Sequence, residues 1–211
     1  MQLATFDEFT GLRMAGLDSC DMLALSYYAA RGLPRLDKSD LEHWYSKRDA
    51  WAFRVQFETA RHLYRFDPNA APPTEMSYGN SLARFLCSFM LQVLQEDCGV
   101  RYNPERKFKP ATCKPADVFA HGIMDDNGEG GTCASMPVIY VTVGRRLGYP
   151  LYLVETRGHL FCRRYCQKSC TGEERKKAAY PAVGKFLSGP PRARKDTPPC
   201  DTVRRSRREI Q

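Results

Sequence analysis

The sequence predicts an α+β chain: a helical N-terminal region packed on a small partial core, then a disordered basic tail. Three observations predict it. Apolar residues recur at helical spacing through residues 41–63 and 80–97. A Gly-Gly-Thr-Cys turn, one helix-sized segment and two strand-sized segments follow within residues 130–163. Beyond them apolar periodicity stops, and Lys, Arg, Pro and Ala dominate to Gln211. The predicted boundaries are 1–110 for the helical region, 111–163 for the core and 164–211 for the tail.

A chain of 211 residues is long enough for one domain with a sizeable core. Its net charge of +8 is unevenly placed. Residues 1–162 carry 18 Lys/Arg against 19 Asp/Glu, whereas residues 163–211 carry 14 against 5. The body is therefore electrostatically ordinary, which argues against a nucleic-acid partner. The first eight residues lack the basic-then-apolar order of a secretory signal. The longest apolar run, at 138–143, is far short of the roughly 20 residues that span a bilayer. A soluble, cytoplasmic protein with no membrane partner is expected. Nine cysteines with no regular framework predict reduced thiols rather than a disulfide scaffold.

The elements follow in order. Residues 21–31 read as a helix stopped by Gly32 and Pro34. Ser39-Asp40-Leu41-Glu42 has the spacing of a capping box and opens a long amphipathic helix that ends near Asp67-Pro68. A Pro-rich connector covers 70–74. Residues 80–97 form the strongest helix, with Leu82, Phe85, Leu86, Phe89, Met90, Val93 and Leu94 on its apolar face and Gly99 at its end. Cys87 reads as a small core hydrophobe. A loop at 101–115 and one short helix at 117–124 complete the first part.

Residues 125–131 read as a flexible acidic turn. Asp125, Asn127 and Glu129 alternate as in a calcium loop, but the twelfth position is Met136 rather than a bidentate glutamate, so calcium is not expected. The next segment contains strand-favouring Val138, Ile139, Val141 and Val143. A helix over 134–147 is nonetheless predicted. Met136, Ile139, Tyr140, Val143 and Leu147 share a face, Arg145 and Arg146 suit a helix C-terminus, and Gly148 can cap it. A strand over 150–155, a turn at 156–158 and a strand from His159 complete the pattern.

That pattern returns His159 to the level of Cys133. A helix of this length spans about 21 Å, and the strand runs back roughly 20 Å. A helix N-terminus offers free N–H groups, here from Cys133 and Ala134, and a partial positive charge that favours thiolate and can hold an oxyanion. An imidazole within reach can take the thiol proton and return it to a leaving amine. Gly130 and Gly131 shape the turn behind the cysteine. Cys133 is expected to be the most reactive of the nine thiols.

The run Gly131-Thr132-Cys133-Ala134-Ser135-Met136-Pro137, Arg146-Leu147-Gly148-Tyr149-Pro150, and then Gly158-His159-Leu160-Phe161-Cys162-Arg163 resembles the transglutaminase-like superfamily. The nearest branch is the compact bacterial one with helices ahead of the core, and the match covers about residues 120–163. The resemblance implies a papain-like α+β (cysteine protease) core and a Cys-His-Asp or Cys-His-Asn triad. It assigns Cys133 as nucleophile and His159 as base, acting on a protein or peptide amide by hydrolysis or acyl transfer, without a cofactor. Some branches of the family are inactive.

The family pattern stops after Arg163, and the third triad member is unknown. The tail offers few sizeable apolar residues and no sustained period, so it is expected to have little order. A shifted reading frame in GC-rich coding sequence would produce such a composition, and a basic interaction arm is the other reading. His159, Cys162, Cys166 and Cys170 do not match paired Cys-x2-Cys zinc spacing, so no metal is expected. Two functional expectations result. One is a thiol-dependent amidase, peptidase or acyl transferase. The other is a non-catalytic interaction domain or the product of a decayed or frameshifted gene.

Overall fold

The computed structural model describes residues 7–8, 20–33, 39–70, 78–106 and 114–164. Arg164, the first residue of the predicted tail, is described and ends a strand, whereas residues 165–211, the greater part of the Pro-rich connector and residues 107–113 lie outside the described residues. Among the described residues six α-helices precede one two-stranded antiparallel sheet. The chain is thus mixed α and β, with its helices first.

Local chemistry sets most helix ends. Helix α1, Met22–Ala29, is capped by Asp21, whose carboxylate accepts from the backbone N–H groups of Leu23 and Ala24 at 2.8 and 3.4 Å. Helix α2, Leu41–Arg61, starts one residue later than the capping box predicted. Asp40 is the cap, accepting from Glu42 N at 3.0 Å. The Ser39 hydroxyl instead donates to Asp125 at 2.9 Å, so a tertiary partner takes the group that the local motif needed. Helix α3, Leu82–Glu96, is capped by Ser81 and turns its predicted apolar face inward. Gly99, at φ +71°, lets the chain leave it.

The single helix expected over 117–124 is two short ones, α4 at Pro115–Val118 and α5 at His121–Met124. Phe119 between them is extended, and Ala120 N donates to Ser26 Oγ of α1 at 2.9 Å. That bond across the fold replaces a helical one. Helix α6, Met136–Arg146, ends as predicted. Gly148 has φ +79°, Tyr149 N donates to Gly144 O at 2.8 Å, and Gly148 N donates to Arg145 O at 3.0 Å. Those two bonds satisfy carbonyls that the helix end would otherwise leave open. Strands β1, Leu151–Thr156, and β2, His159–Arg164, pair in register from Leu151↔Arg164 to Thr156↔His159.

Helix α6 is the axis of the core. Every residue from Met136 to Gly144 is buried, and α1, α2, α3 and both strands pack around it. One hydrophobic cluster runs from Leu23 to Leu151, so the helical region and the later core share an interior. Trp44, Phe85, Leu23, Met90 and Leu94 are its largest fully buried members, each stabilising by about 1.5–3 kcal/mol.

His121 is the unusual member of this interior. It is 2% exposed, stacks on Tyr27 at 6.2 Å, and meets the rings of Trp44 and Phe119 edge-on at 4.5 and 6.4 Å. Its Nδ1 has no hydrogen-bond partner among the described residues. Burial pushes its pKa down to about 4, and the nearby Asp125 carboxylate, which pulls the other way, does not offset that.

Two predictions follow from this packing. The folded His121 stays neutral where the unfolded one, near pKa 6.5, already binds a proton. Stability is therefore fully present above about pH 6.5 and falls with pH down to about 4, by about 3 kcal/mol in all. Urea unfolding across that window should show the slope, and His121→Phe should flatten it. Gly144 touches β1: a Cβ there would strike Leu151 Cδ1 and lie 3.5 Å from Met90 Sδ. In an open helix alanine would gain about 1 kcal/mol, but overpacking of 1–3 kcal/mol should win. Gly144→Ala is expected to lower the urea midpoint.

Candidate active site

The turn that carries Cys133 is built by backbone contact. Gly131 N donates to Arg101 O at 2.9 Å, and Asn103 N donates to Gly131 O at 2.7 Å, a one-residue parallel bridge. Gly130, at φ +102°, donates its N–H to Gly122 O at 2.8 Å. A Cβ on Gly122 would lie 2.5 Å from Ala116 O and 2.6 Å from Gly130 O. Only glycine allows the backbones to pass so closely.

The helical register begins before α6 itself. Met136 N donates to Thr132 O at 3.0 Å, and the Thr132 hydroxyl accepts from Ala134 N at 3.2 Å. Thr132 therefore caps the turn, and Cys133 and Ala134 occupy the first turn that leads into α6. Cys133 is exposed, in contrast to the buried residues of α6 behind it. Cys20 is buried, and Cys87, Cys98 and Cys162 are partly buried. Burial pushes the Cys87 and Cys162 thiols up, with Arg164 pulling Cys87 the other way. Among the described cysteines Cys133 is the accessible one.

Two hydroxyls hold this turn from behind. The Thr132 hydroxyl donates to Asp117 O at 2.6 Å. The Ser135 hydroxyl, fully buried, accepts from Thr132 N at 3.0 Å and donates to the same carbonyl at 3.1 Å. The buried Asp117 carboxylate accepts from Lys114 N at 2.7 Å and pairs with Arg106 at 3.5 Å. Thr132 and Ser135 lie in the run that carries the resemblance, but the sequence reading gave neither them nor Lys114, Asp117 and Arg106 a role. Thr132 is a favoured cap residue immediately before Cys133, and that signal was available.

The acidic turn at 125–131 is fastened at several points. Asp125 accepts from Trp44 Nε1 and from the Ser39 hydroxyl, each at 2.9 Å. Asp126 pairs with Lys47 and His43, each at 3.4 Å. Glu129 pairs with Lys114 at 2.8 Å and Arg106 at 3.3 Å, and the Lys114 and Arg106 hydrogen bonds hold its carboxyl below the usual range. These bonds fasten a turn that the sequence reading treated as flexible. Most of the partners stand far away in sequence, where a local reading does not see them.

The position of His159 follows from the hairpin. Leu151 packs on Gly144, and Cys162, paired with Leu153, lies near Tyr140. Four helical residues and two strand residues each cover about 6 Å, so the hairpin runs back along α6. Strand alternation sets the side-chain direction. Leu153 and Cys162 pack on the core, so His159 and Phe161 belong to the other face. Their rings stack at 6.4 Å and 20°, and His159 is exposed. No hydrogen bond joins the Cys133 thiol to the His159 ring.

No protein-family model, curated protein or solved structure matches the chain. Among the described residues no group of three or more potential ligands could hold a metal ion, and no helix is long and apolar enough to cross a membrane.

Gly131 offers a direct test of this architecture. A Cβ there would strike Ile123 Cδ1 and lie 2.9 Å from Ser135 Oγ. Gly131→Ala should destabilise by about 1–3 kcal/mol in urea unfolding. Unchanged stability would mean that the turn is looser than described.

Proposed function

We propose that the chain is a transglutaminase-like domain with a papain-like core, in which Cys133 acts as a thiol nucleophile on amides and His159 as its base. The observation that carries the reading is the placement of Cys133. It is an accessible thiol in the first turn leading into a buried helix. The thiolate would attack an amide carbonyl, the imidazolium would protonate the leaving amine, and water or a second amine would release the acyl group. The order of glycines, cysteine and histidine along the chain supports the family reading.

Engagement requires the His159 ring to swing around the hairpin tip. Its exposure leaves room for that movement, and the described ring contact it would give up is the one with Phe161. The same outward ring, with no third triad residue assigned, favours a second reading: a non-catalytic domain that keeps the family architecture for interaction.

Limited iodoacetamide labelling at mildly acidic pH, mapped by mass spectrometry, separates the two. Under the catalytic reading Cys133 labels faster than every other cysteine, and His159→Ala slows it. If Cys133 reacts no faster than the remaining thiols, or if His159→Ala changes nothing, the non-catalytic reading stands.

A further inference from the structure

We infer that the outer face of α2 is a self-association surface, on which α2 of a second copy of this chain packs in parallel. The inner face of α2 buries Trp44, Trp51, Val55 and Thr59 in the fold. The opposite face is apolar as well. Ser46, Ala50, Phe53, Phe57 and Ala60 recur at steps of 4, 3, 4 and 3, and all are exposed. Tyr64, in the 3-10 turn Leu63–Arg65 just past the helix, adds a further step of 4. Of the seven large apolar residues exposed among the described residues, Phe53, Phe57, Leu63 and Tyr64 fall here. Isolated exposed apolar residues are ordinary, but a row of them along one helix marks a contact surface.

Alternating steps of 4 and 3 are the seam of a two-helix contact. Small Ala50 and Ala60 flank large Phe53 and Phe57, so the stripe offers both knobs and the space to receive them. Its two borders differ in charge. Glu42 and Asp49 stand along one, and Lys47, Arg54 and Arg61 along the other. Such border charges decide orientation. In an antiparallel pair like borders meet, and Arg54 faces the basic side of its copy. In a parallel pair unlike borders meet, with Asp49 of one copy opposite Arg54 of the other and Glu42 opposite Lys47.

Asp49 and Arg54 also pair within the chain, Asp49 with Arg48 and Arg146, Arg54 with Glu58 and Asp97. Their side chains are still 42 and 51% exposed, and a carboxylate and a guanidinium each hold several hydrogen bonds at once. Exposed pairs add little affinity, so the charges set direction while the aromatic rings hold the contact. Residues 165–211 suit the stripe poorly. Their sequence has no sustained apolar spacing, and its excess of Lys and Arg would meet the basic border. A second copy brings a matching row and the opposite border together, and a two-fold axis closes the pair. The contact is short, since α2 spans about 31 Å, so the dimer is weak, with a Kd of about 10–100 µM.

Sedimentation equilibrium of the full-length chain from about 1 to about 500 µM tests this. The mass should climb from 24.1 kDa toward twice that value. Phe57→Glu should move the rise to at least about tenfold higher concentration, whereas Tyr152→Glu, an exposed ring on β1, should leave it in place. If Phe57→Glu loses helical circular dichroism, Ala50→Glu carries the test with the same shift expected. A parent that stays monomeric throughout overturns the inference, as does an equal loss in Tyr152→Glu. Orientation is read from Ala50→Cys under mild oxidation, with cross-linked peptides mapped by mass spectrometry. A parallel pair joins the introduced thiols of two identical copies. A bond that forms only when Ala50→Cys is mixed with Ala60→Cys overturns the parallel pairing. Flotation of a monomeric chain with vesicles of equal parts phosphatidylcholine and phosphatidylserine would assign the stripe to a membrane surface instead, and would also overturn the inference.

Discussion

The Asp125 carboxylate is where the two parts of the chain are fastened together. The fully buried Trp44 indole donates to one of its oxygens and the Ser39 hydroxyl to the other, each at 2.9 Å. An indole N–H buried without a partner would be costly, and so would a carboxylate left without donors. Each therefore requires the other. Lys47, on the same helix as Trp44, adds a 2.7 Å bond to Met124 O. These bonds hold α5 and the turn after it against α2. Gly122 in α5 then receives Gly130 N, and Gly131 hands the chain on to Thr132. The placement of the turn that carries Cys133 is thus inherited from a helix that begins some ninety residues earlier.

Close backbone approach is the second constraint, and it follows from the first. Where the acidic turn meets the core, at the buried Gly130 and Gly131, its N–H and C=O groups must pair with other backbone. Gly122, Gly130 and Gly131 allow that because nothing projects from their α-carbons toward the neighbouring chain. The hydroxyls of Thr132 and Ser135 complete the same accounting at the start of the helix. Charge is arranged around this turn: Arg106 and Lys114 face Asp117 and Glu129, and Lys47 and His43 face Asp126.

What could be read from the sequence was local. The apolar face of α3, the Gly148 end of α6, and the helix–strand–turn–strand order after Cys133 all depend on neighbours a few residues apart. What was missed depends on distant partners. The Ser39 capping box failed because Asp125, 86 positions away, takes the hydroxyl. The helix over 117–124 divided because Ala120 turns to Ser26. His159 shows a different omission. Matching helix and strand lengths led to the expectation that it returns to the level of Cys133, but the face of a strand is set by parity. Cys162 packs on the core, and a residue three positions before it belongs to the other side. That odd separation was legible, and only the knowledge of which residues pack inward was lacking.

Helix α6 has no polar face over Met136–Gly144, and this governs how the chain can fold. A helix apolar on all sides gains nothing from water and has no stable life apart from its surroundings. Its walls come from α1, α2 and α3 on one side of the sequence and from the hairpin on the other. A fragment of residues 111–163 would therefore be an unenclosed strip of hydrocarbon, prone to associate with its own kind. The helical region supplies the enclosure that this helix, and the Cys133 turn leading into it, require.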